Sequence, residues 1–146
     1  RLGKEGQLRV GCSAVIFDKD RKKVLLTQRT DNGRWCVPGG ALESGESAAE
    51  ACEREVWEET GLKVRATRLI GVYSNPDQLV IYSDGNKAFF VVLSFEAEII
   101  EGELGLSNET TAFGYYSLEE MEGLPMHGQH KQRVEDALLG GAALMK

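Results

Sequence analysis

The spacing of apolar residues changes several times along the chain, and each change marks an element. "QLRVGCSAVIFD" (7–18) and "KKVLLTQR" (22–29) are rich in β-branched and aliphatic residues and predict two strands joined by the polar "KDR" turn. "KAFFVVLSFEAEII" (87–100) predicts a third strand, introduced by the turn signal Asp84-Gly85-Asn86, and "TAFGYYS" (111–117) a weaker one. From Ala48 to Thr60 there is no proline or glycine. Ser47 and Glu50 have capping-box spacing, and Gly61 before apolar Leu62 suits a C-terminal cap, so a helix is predicted from near Ser47 to Gly61. "HGQHKQRVEDALLG" (127–140) predicts a second amphipathic helix, with Val134, Ala137 and Leu138 at helical spacing and Gly140 as its stop. No regular strand-helix-strand alternation appears. The prediction is therefore an α+β fold, a mixed sheet with flanking helices, rather than a doubly wound one.

On a helical wheel with Ala48 at zero, Cys52 falls at about 40°, Val56 at about 80° and Ala49 at about 100°, the side expected to pack on a sheet. Glu59 at about 20°, Glu55 at about -20° and Glu58 at about -80° stand on or beside that side, whereas Glu50, Glu53, Arg54 and Trp57 point away. A solvated charge run suits Glu50 and Glu53. It does not suit the other three, because carboxylates three and four apart repel and partial burial adds to the cost. The wheel puts no lysine or arginine among them, Arg54 reaching Glu58 or Glu50 at most. A divalent cation would resolve the conflict, and all-oxygen donors favour Mg²⁺, Mn²⁺ or Ca²⁺ over zinc.

Composition narrows the classes. With 146 residues, 42% of them hydrophobic, the chain suits one domain spanning 1–146. A net charge of -6 argues against a surface built for nucleic-acid polymers or anionic membranes, so an anionic substrate would need a local countercharge. Cys12, Cys36 and Cys52 form no CxxC pair and are odd in number, which fits free thiols acting as small hydrophobes in a reducing compartment. No apolar run approaches the ~18 residues of a membrane span, and "RLGKEGQLRV" lacks the apolar core of a signal peptide, so a cytoplasmic location is expected.

Gly40, Glu46, Arg54-Glu55, Val56, Glu58-Glu59, Gly61 and Leu62 stand at the spacing of the Nudix box without a departure, and "WCVPGG" (35–40) is similar to the usual lead-in. At average residue frequencies such a match arises by chance on the order of once in 10⁸ positions. The chain thus resembles the Nudix hydrolases, which implies an α/β/α sandwich with a mixed sheet. It also implies hydrolysis of a nucleoside diphosphate linked to another moiety, with Mg²⁺ as cofactor and Mn²⁺ as a substitute. The substrate class spans nucleoside triphosphates, ADP-ribose and other nucleotide sugars, and dinucleoside polyphosphates; a homodimer is among the assemblies allowed. Carried over by position, Glu55, Glu58 and Glu59 are the implied metal-binding face, with Glu55 or Glu58 as the base. Arg54 resembles the arginine that orients a catalytic glutamate, Gly39 and Gly40 a tight loop whose carbonyl approaches the metal, and Glu46 a supporting or loop-fixing residue. The alternative is a non-catalytic nucleotide or nucleotide-sugar sensor on the same fold, which would be expected to have lost a box glutamate.

Outside the box, Glu109 precedes a predicted strand, where members of this family often place a further acidic ligand or base. Arg29 and Arg34 flank the "WCVPGG" loop and suit either phosphate binding or exposed salt bridges. His127 and His130 read as a solvated helix start, with no further Cys or His nearby to complete a metal site. Tyr73, Asn75 and Asp77 fall on an expected loop where specificity elements could gather, and Pro76 there would shape a turn.

Overall fold

The run Gly11–Val15 has no polar-apolar alternation, and its five residues are all buried. A strand of that kind needs cover on both faces. The computed structural model, which describes residues 1–105, 110–126 and 128–146, supplies it. The expectations placed on Glu109 and His127 lie outside the described residues.

A short 3₁₀ turn (Leu2–Glu5) is followed by β1 (Gln7–Val15), β2 (Val24–Arg29), β3 (Trp35–Cys36), β4 (Gly39–Ala41), α1 (Ala48–Thr60) and β5 (Leu62–Tyr73). Then come β6 (Val80–Ile81), β7 (Lys87–Gly102), β8 (Thr110–Tyr116), α2 (Leu118–Met121), α3 (Gly128–Leu139) and β9 (Leu144–Met145). A mixed sheet runs in the order β4-β1-β7-β5-β9, with β6 also paired to β7, beside an antiparallel sheet β3-β2-β8. β1 and β7 are parallel from Gln7 opposite Ala88 to Val15 opposite Glu96, and β5 lies antiparallel on the far side of β7.

Alternate residues of β1 feed two cores. Cys12, Ala14 and Ile16 pack with Ala51, Cys52 and Val56 of α1 and with Leu62, Val64 and Ala97. Val15 packs on the other side with Val24, Leu26, Ile70 and with Val134 and Ala137 of α3. Helices thus cover both sides of the strands, the expected α/β/α sandwich. All three cysteines are buried free thiols, as expected, and burial pushes Cys52 up to about 12.

The fold corrects two placements. Tyr73 is not on a loop: it ends β5, is 4% exposed, and donates its hydroxyl to Asp136 Oδ2 at 2.7 Å under α3. Asn75 and Asp77 do lie beyond the strand, the Asn75 side-chain oxygen accepting the Asp77 amide at 3.0 Å. Glu53 is not simply solvated, because its carboxylate accepts the Ala66 amide at 2.9 Å, beside a register shift where β5 leaves its regular pairing with β7.

Candidate active site

Both ends of α1 are fixed locally. Ser47 Oγ accepts the Glu50 amide at 3.1 Å and the Glu50 carboxylate accepts the Ser47 amide at 3.0 Å. Gly61 closes the helix in the left-handed conformation, at φ 77°. Held between these caps, α1 packs Cys52 and Val56 into the core and carries Glu59 with them to 9% exposure. Glu55 lies beside that buried stripe and Glu58 is exposed.

The main correction to the wheel concerns Arg54. Its Cβ leaves the helix on the Glu58 side, well round from Glu55 and Glu59, but the long side chain folds back and its guanidinium stands among the box glutamates. Nε and Nη2 form a fork on Glu46 at 2.7 and 2.9 Å; Nη2 also donates to Ala41 O at 3.0 Å, and Nη1 donates to Glu55 at 2.9 Å and to Glu58 at 3.2 Å. The repulsion is therefore partly met by an arginine from the same helix. The Arg54 fork, helped by the Glu43 amide, holds the Glu46 carboxyl below the usual range, and hydrogen bonding to Glu46 raises Arg54 in turn. Glu46 Oε1 also accepts the Glu43 amide at 3.0 Å, so it fixes the loop before the helix as anticipated.

Gly39 and Gly40 form strand β4 against β1 rather than a tight loop. Neither has positive φ; closeness demands glycine here. A Cβ on Gly39 would lie 2.7 Å from Ser13 Cα, and one on Gly40 would strike the Glu55 carboxylate. The Gly39 amide donates to Glu59 Oε2 at 2.8 Å. Strand β4 thus presses on two of the three helical glutamates, an arrangement that needs the tertiary fold to be seen.

Arg29 uses its fork on Asp31, at 2.9 and 2.8 Å, which is the salt-bridge reading of this residue, while Arg34 is exposed. His130 is not a solvated helix start: it is half-buried, and its Nδ1 accepts the Val37 amide at 3.1 Å, docking α3 on the segment that leads into Gly39. A histidine at a helix start gave no sequence signal for that contact.

Among the described residues no three acidic, histidine or cysteine side chains already converge on one point. Glu55 and Glu58 are turned onto Arg54, and Glu59 onto the Gly39 amide. The donor chemistry nevertheless fits a hard divalent cation. Glu46, Glu55, Glu58 and Glu59 offer only oxygen and outnumber the one guanidinium among them, and Mg²⁺ needs only one or two carboxylates with water and substrate phosphates completing its shell.

Comparison with known proteins identifies the family and the fold. The NUDIX domain model matches residues 7–138. A MutT-like protein of Streptomyces ambofaciens is 34% identical over 90% of this chain and 77% of its own length. An ADP-ribose pyrophosphatase of Methanocaldococcus jannaschii is 32% identical over 83% of this chain and 68% of its own. Among solved structures, the MutT protein of Bacillus halodurans superposes with a TM-score of 0.72 at 30% identity, covering 94% of this chain and 86% of that one. An ADP-ribose pyrophosphatase of Streptococcus suis, 24% identical, shares the fold with a TM-score of 0.72 over 94% of this chain and 98% of that one. A match of this extent places the chain in the Nudix family: it is a Nudix hydrolase of the pyrophosphohydrolase type.

Proposed function

We propose that the protein is a Mg²⁺-dependent hydrolase, with Mn²⁺ able to substitute, that cleaves the diphosphate of a nucleoside triphosphate, a nucleotide sugar such as ADP-ribose, or a dinucleoside polyphosphate. The observation that carries this reading is the Arg54 guanidinium joining Glu46, Glu55 and Glu58 beside a Glu59 fixed by the Gly39 amide. Glu55, Glu58 and Glu59 would hold the metal, with the backbone of Gly39 and Gly40 alongside. A bound divalent cation offsets charge on the phosphoryl oxygens and orients the attacking water.

The chain's own residues do the positioning. Arg54 sets the direction of the Glu55 carboxylate while Glu46 anchors the other edge of the guanidinium, so Arg54 and Glu46 support catalysis without touching substrate. Glu55 and Glu58, which share Nη1, are the candidates to take the proton from water. Arg34, exposed beside the lead-in, is available to substrate phosphate, and Arg29 would have to release Asp31 to join it.

Thermal melts with and without millimolar Mg²⁺ test the site. Metal that binds only the folded chain should raise the melting temperature by mass action. Glu59→Gln keeps an acceptor for the Gly39 amide but removes the charge, so it should lose most of that rise. Glu98→Gln, on the exposed stretch of β7 beyond its pairing with β1, should keep it. An equal metal response in the two variants would place the metal elsewhere.

A further inference from the structure

Among the described residues, Ser13 Oγ, Ser94 Oγ and Arg133 Nε are buried side-chain polar atoms that make no hydrogen bond. Each such group is costly to leave unpaired, and the fold sets these three, distant in sequence, in one layer. Cys12 and Ala14 of β1 point into the core under α1, so Ser13 points the other way, with Val15, toward α3. Parallel register puts Ser94 of β7 beside Ser13 in the same orientation, about 4.8 Å away at strand spacing. Gly71 of β5 is next in that row. Its lack of a side chain leaves room for the Tyr73 ring, whose Cε2 would lie 3.3 Å from a Cβ at position 71. The Arg133 guanidinium stands over that ring, 5.7 Å from the centroid. Helix α3 thus closes an arginine over the row Ser13, Ser94 and Gly71.

Charge decides what this layer can hold. Arg133 is 5% exposed, and its Nη2 donates to a neutral acceptor, Gln129 Oε1, at 3.3 Å. No described carboxylate pairs with it. Asp136, one turn further along α3, is engaged by the Tyr73 hydroxyl at 2.7 Å and by Lys146 Nζ at 3.0 Å. Burial pulls Arg133 down to about 10, so it stays charged at neutral pH. A guanidinium can only donate, and a serine hydroxyl donates in whichever direction it is turned. Water would meet these hydrogen bonds and leave the buried positive charge uncompensated, whereas an anion meets both needs. One guanidinium and two neutral hydroxyls call for a single negative charge. With Ser94 fully buried and Ser13 only 4% exposed, the space favours a small free anion over a phosphate carried on a substrate.

We propose that Ser13, Ser94 and Arg133 bind a small monovalent anion, chloride being the abundant one, in the layer between the large sheet and α3. The two hydroxyls and Arg133 Nε are its donors, and its charge balances the guanidinium. The site is one strand from Gly39, whose amide holds Glu59, so it fixes the sheet behind the acidic helix without taking part in it. It does not depend on the hydrolase reading.

Thermal melts of the intact chain, with sodium chloride replacing sodium gluconate at constant ionic strength, test it. The melting temperature should rise by about 2 to 4 °C at a chloride concentration a few times the dissociation constant, and the rise should follow a one-site curve. Ser94→Ala removes one donor to a charged group and should move the midpoint of that curve about tenfold higher. Arg133→Met, checked for retained structure by circular dichroism, should lose the response to chloride while melting in gluconate close to the wild type, since the unpaired buried charge goes with the side chain. Anomalous scattering from crystals grown in sodium bromide should place one bromide within hydrogen-bond reach of Ser13 Oγ, Ser94 Oγ and Arg133 Nε. A melting temperature indifferent to chloride, an equal rise in Arg133→Met, an unmoved midpoint in Ser94→Ala, or a water in place of bromide would each overturn the proposal. So would a rise given by inorganic phosphate and not by chloride.

Discussion

At the scale of single residues, Arg54 separates what pattern can supply from what reach adds. The residue types and spacing of Glu55, Glu58 and Glu59 marked one face of one helix, because 3.6 residues per turn is enough to place Cβ atoms. A wheel says nothing of where a long side chain ends. The guanidinium comes back to Glu46, Glu55 and Glu58, and only the loop ahead of the helix, held by Glu46 and the Ala41 carbonyl, makes that path favourable. His130 is similar: its value is a contact with Val37, 93 residues away, that no local pattern encodes. Arg54→Lys is predicted to lower kcat by about 10- to 100-fold, the usual cost of losing a residue that orients a ligand. Lysine keeps the charge but cannot fork onto Glu46 while holding Glu55. The KM for the nucleotide should change little, since Arg54 is not proposed to touch it. A kcat within about twofold of wild type would show that charge alone suffices.

At the scale of elements, α1 was readable because its start and stop are written in adjacent residues. The expected bounds near Ser47 and at Gly61 match a helix from Ala48 to Thr60. Strand β4 was not readable, because three residues carry no period and its glycines are required by neighbours from β1 and α1. β3, β6 and β9, two residues each, escape for the same reason. The caps give a graded prediction. Ser47→Ala removes the acceptor for the Glu50 amide and should cost about 1 kcal/mol. Gly61→Ala should cost more, since alanine meets φ 77° and its Cβ would lie 2.8 Å from the Glu103 carbonyl oxygen. Denaturant melts of the two variants should rank in that order; a Gly61→Ala variant as stable as wild type would contradict the cap.

At the scale of the whole molecule, the order of long strands and helices was enough to expect a mixed sheet between helices, while the parallel pairing of β1 with β7 needed three dimensions. The charge distribution then sets the response to acid. The Arg54 fork lowers Glu46, and the Ser47 and Ser117 amides lower Glu50 and Glu120 through their capping boxes. Burial raises Glu96, but hydrogen bonds from Arg21 and Arg68 outweigh it and leave that carboxyl lowered too. Each of these groups releases its proton more readily in the folded chain than in the unfolded one, where a glutamate titrates at about 4.3. Their contribution is therefore fully present above that pH and is lost as pH falls through the lower folded values, because the unfolded chain binds protons first. The melting temperature should stay nearly level between about pH 7 and pH 5 and fall steeply below about pH 4.3. Glu46→Gln, which cannot ionise, should start from a lower plateau and fall less steeply over the acid range. An equally steep acid limb in wild type and variant would show that Glu46 is not held by Arg54 in solution.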